Sequence, residues 1–281
     1  LQRAGVKIFP RWKGLMLSAF GGAGQVFDDA NYLNAATRAA TFAREHLYDE
    51  SRKLLARSYR EGRGVEGFAD DYAFLIQGLL DLYEASFEVS WLRFAVELQE
   101  AQDRLFLDGN GGGYFGSAGQ DSSILLRMKE DNDSAEPAAS SVAALNLLRL
   151  AQIRDEETWR ERAEKTIAAF TPQISHFPSA MPQMLVALDR SLSKSQQIVI
   201  AGKRDARDTR ALLVEVHRHF LPNTIVLLAD GGEGQKSLEE KLEALTGMSQ
   251  VKGKATAYVC ENFACQAPVN SADALRELLT K

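Results

Sequence analysis

One feature narrows the possible folds of this chain more than any other: a helical unit that occurs three times. Apolar residues at i, i+4, i+7 spacing appear as Met16, Phe20, Ala23, again as Leu75, Leu79, Leu82, and again as Ala143, Leu147, Leu150. That spacing is one stripe of an α-helix. Each stripe is followed by an acidic break (Asp28-Asp29, Glu88, Asp155-Glu156-Glu157), then an aromatic anchor, Tyr32, Trp91 or Trp159, with alanine four positions on at Ala36, Ala95 and Ala163. Apolar residues continue at helical spacing beyond each anchor, as in Phe42 and Leu47, Leu98 and Phe106, Ile167 and Ile174. The acidic break suits the start of a second helix, where unpaired N–H groups and the positive end of the macrodipole favour negative charge. Runs such as YAFLIQGLLDLY and SVAALNLLRLA leave little polar surface, so the first helix of each pair is expected on the inside. Arrays of α/α hairpins stack as solenoids or close into a ring. The long connections, about residues 49–69 and 107–138, are expected at one end of the inner helices, around the mouth of a cavity.

Near 189–195 the period changes. Residues 198–200, 224–229 and 256–259 read as buried strands, alternating with helices over 205–220, 238–245 and 272–279. Such alternation predicts a small α/β layer with a parallel sheet. The expected division is therefore an α/α-hairpin domain over 1–190 and an α/β subdomain over 191–281.

With hydrophobic residues at 45% and charged residues at 25%, the 281-residue chain can bury a large core. A net charge of −5, without a dense basic stretch, argues against nucleic acid and against a polybasic membrane anchor. No apolar run reaches the roughly 20 residues a membrane helix needs. Residues 1–10 lack the pattern of a signal peptide. The expectation is a soluble, cytoplasmic protein, or a secreted one if a preceding region carries a signal. Cys260 and Cys265 are expected as two buried thiols, the alternative being a disulfide or a metal-binding pair. No second cysteine pair, no HExxH and no convergent histidines occur, so neither metal nor cofactor is expected. Gly111-Gly112-Gly113 reads as a tight turn that positions Tyr114 and Phe115. Gly231-Gly232-Glu233-Gly234 follows a strand but fails the dinucleotide pattern and reads as a loop.

Chemistry is expected where acidic residues precede inner helices. Asp70 and Asp71 form one cluster; Asp131 and Glu136, within the stretch 129–137, form the other. These four are the candidate catalytic carboxylates. Paired carboxylates serve as acid and base in sugar chemistry, and aromatic faces carry the apolar side of a sugar ring. Trp12, Tyr72, Tyr114, Lys129 and Asp133 complete the candidate set as substrate-binding residues. The competing reading is ordinary: an Asp just before a helix is an N-cap, and an acidic run is a solvated loop.

Three blocks then point to a known family. GFADDYAFLIQGLLDLYEASFEVSW (67–91, continuing to Phe115), RMKEDNDSAEPAASSVAALNLLRL (127–150) and TAYVCENFACQAP (256–268) resemble the spermatogenesis-associated protein 20 family. The resemblance runs from Trp12 to the end of the chain. It implies a larger parent in which a thioredoxin-like domain precedes an (α/α)6 toroid similar to six-hairpin glycosidases and epimerases. This chain would supply about three hairpins, the later part of such a toroid, without the thioredoxin-like domain. The implied function is a carbohydrate-binding or carbohydrate-active module; the alternative is a non-catalytic scaffold that supports the thioredoxin-like domain. Two positions depart from the family pattern: Lys13 and Ser140 stand where the family carries amides. Asp70, Asp71, Tyr72, Lys129, Asp131, Asp133 and Glu136 keep the pattern. A sugar or sugar derivative is the expected partner.

Overall fold

The computed structural model describes residues 7–119, 124–240, 242–262 and 264–280. The first six residues of the segment tested for a signal peptide lie outside them. Three helix pairs form as the repeat predicts: α1 (Pro10–Phe27) with α2 (Ala30–Phe42), α3 (Ala69–Ser86) with α4 (Val89–Phe106), and α5 (Ala139–Arg154) with α6 (Glu157–Ala169). All three turns share one geometry. Asp28, Phe87 and Asp155 close the first helix with φ near +50° (51°, 54° and 50°), and Asp29, Glu88 and Glu156 open the second in extended conformation. Asp29 caps directly, its carboxylate accepting from the Asn31 N–H at 2.8 Å. Tyr32, Trp91 and Trp159 all fall at the third position of the second helix, and Ala36, Ala95 and Ala163 are fully buried.

Inner helices pack side by side in the order α1, α3, α5, and the row continues into a fourth. After α7 (Thr171–His176), helix α8 (Pro182–Leu192) lies against α5 and buries Met184 and Ala187. α8 thus takes the next inner position, and the expected division at 190 falls inside its last turn. The α3 and α5 helices are buried nearly all round. α1 is not: Leu15, Met16, Val26 and Phe27 are exposed.

The connection after α2 passes through a turn of π-helix and a small hairpin, β1 (Tyr48–Asp49) with β2 (Leu54–Leu55). The C-terminal layer is a four-stranded sheet in the order β4-β3-β5-β6, with β3 at Gln196–Ala201, β4 at Thr224–Ala229, β5 at Thr256–Glu261 and β6 at Ala264–Cys265. Only β3 and β4 are parallel; β5 pairs antiparallel with β3, and β6 with β5. The parallel expectation therefore holds for one pair alone. Helix α9 (Arg207–His217) is long enough to cross the sheet, whereas α10 (Glu233–Glu239) has seven residues, about 10 Å against the ~20 Å of a six-residue strand. The chain enters β5 from the end of the sheet at which β4 finishes.

Alternation sorts the strands. Ile198, Ile200, Val226 and Leu228 face α9 and the last helix, α11 (Ala272–Leu279), while Val199, Ala201, Ile225 and Leu227 join the core of the hairpins. Cys260 and Cys265 are not two buried thiols. The β5–β6 register sets them opposite one another, and they form a disulfide, with Cys265 exposed. No described helix is long and apolar enough to cross a membrane.

Candidate functional site

The inner helices begin at one rim, with N-caps Phe9, Phe68, Ala138 and Met181. Helix starts offer unpaired N–H groups and a positive dipole end, so carboxylates collect there. The two long connections reach the same rim, as expected, and each adds side chains that sequence reasoning passed over.

A chain of charged contacts crosses from one helix start to the next. Arg11 Nη1 donates to Asp70 Oδ2 at 3.0 Å and lies 3.1 Å from Glu136 Oε2. Arg57, from the 48–68 connection, donates from Nη1 to Asp70 Oδ1 at 3.2 Å and to Asp71 Oδ2 at 2.8 Å. The Trp12 indole N–H donates to Glu136 Oε1 at 2.6 Å, and the ring stands half-exposed beside the groove. Two adjoining hollows, of about 370 and 520 Å³, open along this chain and share Arg11, Asp70 and Glu130. The smaller is walled by Phe68, Leu126 and Met128, the larger by Asp131, Glu136 and Pro137.

The nine expected residues divide. Asp70, Glu136 and Asp131 line the groove, with Trp12 at its edge; Asp131 also accepts from Gln173 Nε2 at 2.7 Å. Asp71 lies beneath, fully buried, its Oδ2 accepting from the Phe68 N–H at 3.0 Å as half of a capping box. Burial, and then the neighbouring Asp70, push the Asp71 carboxyl up to about 6, and its Oδ1 has no partner among the described residues. Tyr72 is buried, its hydroxyl accepting from the Leu55 N–H at 2.8 Å. Tyr114 floors the smaller hollow, but its hydroxyl donates to Asp103 Oδ1 at 2.5 Å. Neither ring is an open stacking wall. Lys129 Nζ ties Asp108 Oδ2 and the Gly112 carbonyl, each at 2.6 Å, and so clamps the glycine turn. Asp133 joins two helix starts, accepting from the Ala138 N–H (2.8 Å) and the Gln183 N–H (2.8 Å). The positions of Lys129 and Asp133 follow from turn and capping chemistry rather than from the groove.

Glu130 is the residue that sequence reasoning left inside a longer acidic run. It lines both hollows, and no described residue donates a hydrogen bond to it. Partial burial, with Asp70 nearby, holds its carboxyl above the usual range. Arg11 had a signal in its place beside Trp12 at the first inner helix; Arg57 had only the length of its loop. Of the two departures from the family pattern, Lys13 is half-buried and lines neither hollow, whereas Ser140 lines the smaller hollow and accepts from the Tyr114 N–H at 2.9 Å.

No family model matches the chain. Against curated proteins, it is 41% identical to spermatogenesis-associated protein 20 of Homo sapiens, over 97% of this chain and 36% of that protein. The chain belongs to the spermatogenesis-associated protein 20 family. An uncharacterised protein of Caenorhabditis elegans is 33% identical over 98% of the chain and 38% of its own length. The chain thus spans little more than a third of the curated family members it matches. Among solved structures, cellobiose 2-epimerase from Bacillus thermoamylovorans superposes with a TM-score of 0.50 at 15% identity, covering 60% of this chain and 45% of that one. The likeness is one of fold: the hairpin row is part of an (α/α)6 toroid.

Proposed function

We propose that the rim groove binds a sugar, with Arg11, Asp70 and Glu136 holding hydroxyl groups, Trp12 and Phe68 covering apolar ring faces, and Glu130 carrying a proton. One observation supports this above the others: three separate helix starts and a loop bring two arginines and several carboxylates around one pair of joined hollows, beside a half-exposed indole. Charge-assisted hydrogen bonds of this kind suit hydroxyl recognition. The likeness to an epimerase adds only an analogy of fold.

The geometry also sorts the chemistry. Asp70 and Glu136 share Arg11 Nη1, at 3.0 and 3.1 Å, so these two oxygens lie no more than about 6 Å apart, short of the ~6.5–9.5 Å that an inverting hydrolase leaves for water. Both already have Arg11 as counter-ion, which makes them a poor acid–base pair. Glu130 has no such cation in contact among the described residues, and partial burial raises its carboxyl, which suits proton transfer to or from a sugar oxygen or ring carbon. Calorimetric titration with a panel of mono- and disaccharides tests the reading. At least one sugar is expected to bind, with affinity at least tenfold lower in Asp70→Asn and Glu130→Gln. No binding by any sugar, or binding that both variants leave unchanged, would sink it.

A specific observation favours a second reading, a docking scaffold. Tyr72, Tyr114, Lys129 and Asp133 are committed to structure, and α1 presents Leu15, Met16, Val26 and Phe27 to solvent. Exposed apolar faces of that kind mark interaction surfaces.

A further inference from the structure

Away from the groove, a cavity of about 340 Å³ opens at the carboxyl ends of β3 and β4. These strands are parallel neighbours. The connection leaving β3 runs to α9 on one face of the sheet; the one leaving β4 runs to α10, whose Leu238 belongs to the core on the other face. Adjacent loops that depart to opposite faces leave a crevice between them, the place where open α/β sheets bind ligands. The Gly231-Gly232 turn after β4 forms one side of it, and the turn between α3 and α4 the other.

Two polar groups in this crevice have no partner among the described residues. Tyr83 lines it and is 2% exposed, yet its hydroxyl makes no hydrogen bond with a described residue. Arg204 Nε is buried with no partner among the described residues, while its Nη1 is taken by Glu88. A buried donor without an acceptor, such as Arg204 Nε, is rare in native proteins, and beside the Tyr83 hydroxyl at the same cavity it points to an oxygen atom that belongs there. Charge narrows the ligand further. Of the four lining carboxylates, Glu88 pairs with Arg204, and Glu233 with Arg93 at 2.8 Å. Asp205 and Asp230 have no cation partner among the described residues. Asp230 accepts from the Gly232 N–H at 2.8 Å and is otherwise open. Leu228 and Leu238 supply an apolar floor.

We propose that this crevice is a binding site for a small hydroxylated amine. The ammonium group sits between Asp205 and Asp230, a hydroxyl oxygen accepts from Tyr83 Oη and Arg204 Nε, and the carbon skeleton rests on the two leucines. A carboxylate in place of the hydroxyl is disfavoured, because the arginine is already neutralised by Glu88 and the remaining acids repel it. The site shares no residue with the groove and stands or falls apart from the sugar reading.

The test uses serinol, an amino diol that is not a sugar, titrated into the whole chain by calorimetry. Saturable binding is expected, weakened at least tenfold by Asp230→Asn and by Asp205→Asn, and unchanged in the groove variant Glu130→Gln. Asp205 is exposed, so its variant leaves folding intact and can decide the matter alone. Propane-1,2,3-triol, which lacks the amine, is expected not to compete. Absence of saturable serinol binding, or binding lost in Glu130→Gln but kept in Asp205→Asn, overturns the proposal.

Discussion

Asp71 shows how one carboxylate is claimed by structure although its sequence context suggests chemistry. It is fully buried, accepts from the Phe68 N–H and from Arg57, and carries a carboxyl raised to about 6. Its usual value is 3.8, so between about pH 4 and 6 the folded protein keeps a proton that the unfolded chain has lost. Stability from this group therefore falls as pH rises through that window and levels off above it. Asp71→Asn is expected to remove that slope; urea midpoints measured from pH 4 to 7 in both proteins read it, and parallel profiles would refute the assignment. Glu215 behaves in the opposite sense. Arg276 donates to it from Nε and Nη2, at 2.8 and 2.9 Å, and holds it down at about 2. Its contribution is present above its ordinary value of 4.5 and is lost as pH falls toward 2. Glu215 is 1% exposed, so Arg276→Ala leaves a buried charge with fewer donors and is expected to cost about 2 kcal/mol in denaturant unfolding.

Among the elements, the α1–α3 contact decides how closely the inner row can pack. A Cβ on Gly14 would lie 2.1 Å from the Phe74 carbonyl oxygen, and one on Gly78 would lie 2.5 Å from that of Gly14. Backbone cannot yield as a flexible side chain can, so Gly14→Ala is expected to destabilise the fold by about 2 kcal/mol or more in thermal or urea unfolding, whereas Gly22→Ala, with open space around it, is expected to be near neutral or mildly favourable. The same close approach sets Arg11 against Asp70, so the glycine pair also positions the groove. The three turns between paired helices are legible because acidic residues mark each of them. Their common left-handed closure is not, since Phe87 takes the position that Asp28 and Asp155 take elsewhere.

For the molecule as a whole, the row of inner helices is buried where it has neighbours on both sides, as in α3 and α5, and open on α1. Leu15, Met16, Val26 and Phe27 form an apolar face that favours association in water. Sedimentation velocity over a concentration series is expected to show reversible self-association, reduced in a Met16→Lys, Phe27→Lys double variant; a strictly monomeric chain at every concentration would refute it. The amino-acid sequence by itself determined the three hairpins, the buried alanines after each aromatic anchor, and the change of period near residue 190, because burial writes a regular spacing into the chain. It also marked Asp70 and Glu136 as neighbours of a cavity. Only the tertiary structure decided that Arg11 and Arg57 join them, that Glu130 lines both hollows, that Tyr72, Tyr114 and Asp133 turn into the framework, and that β5 returns antiparallel with its cysteines joined. Those outcomes depend on which loop reaches which helix start, and on the end of the sheet from which β5 enters. They are long-range geometric facts that no local spacing encodes.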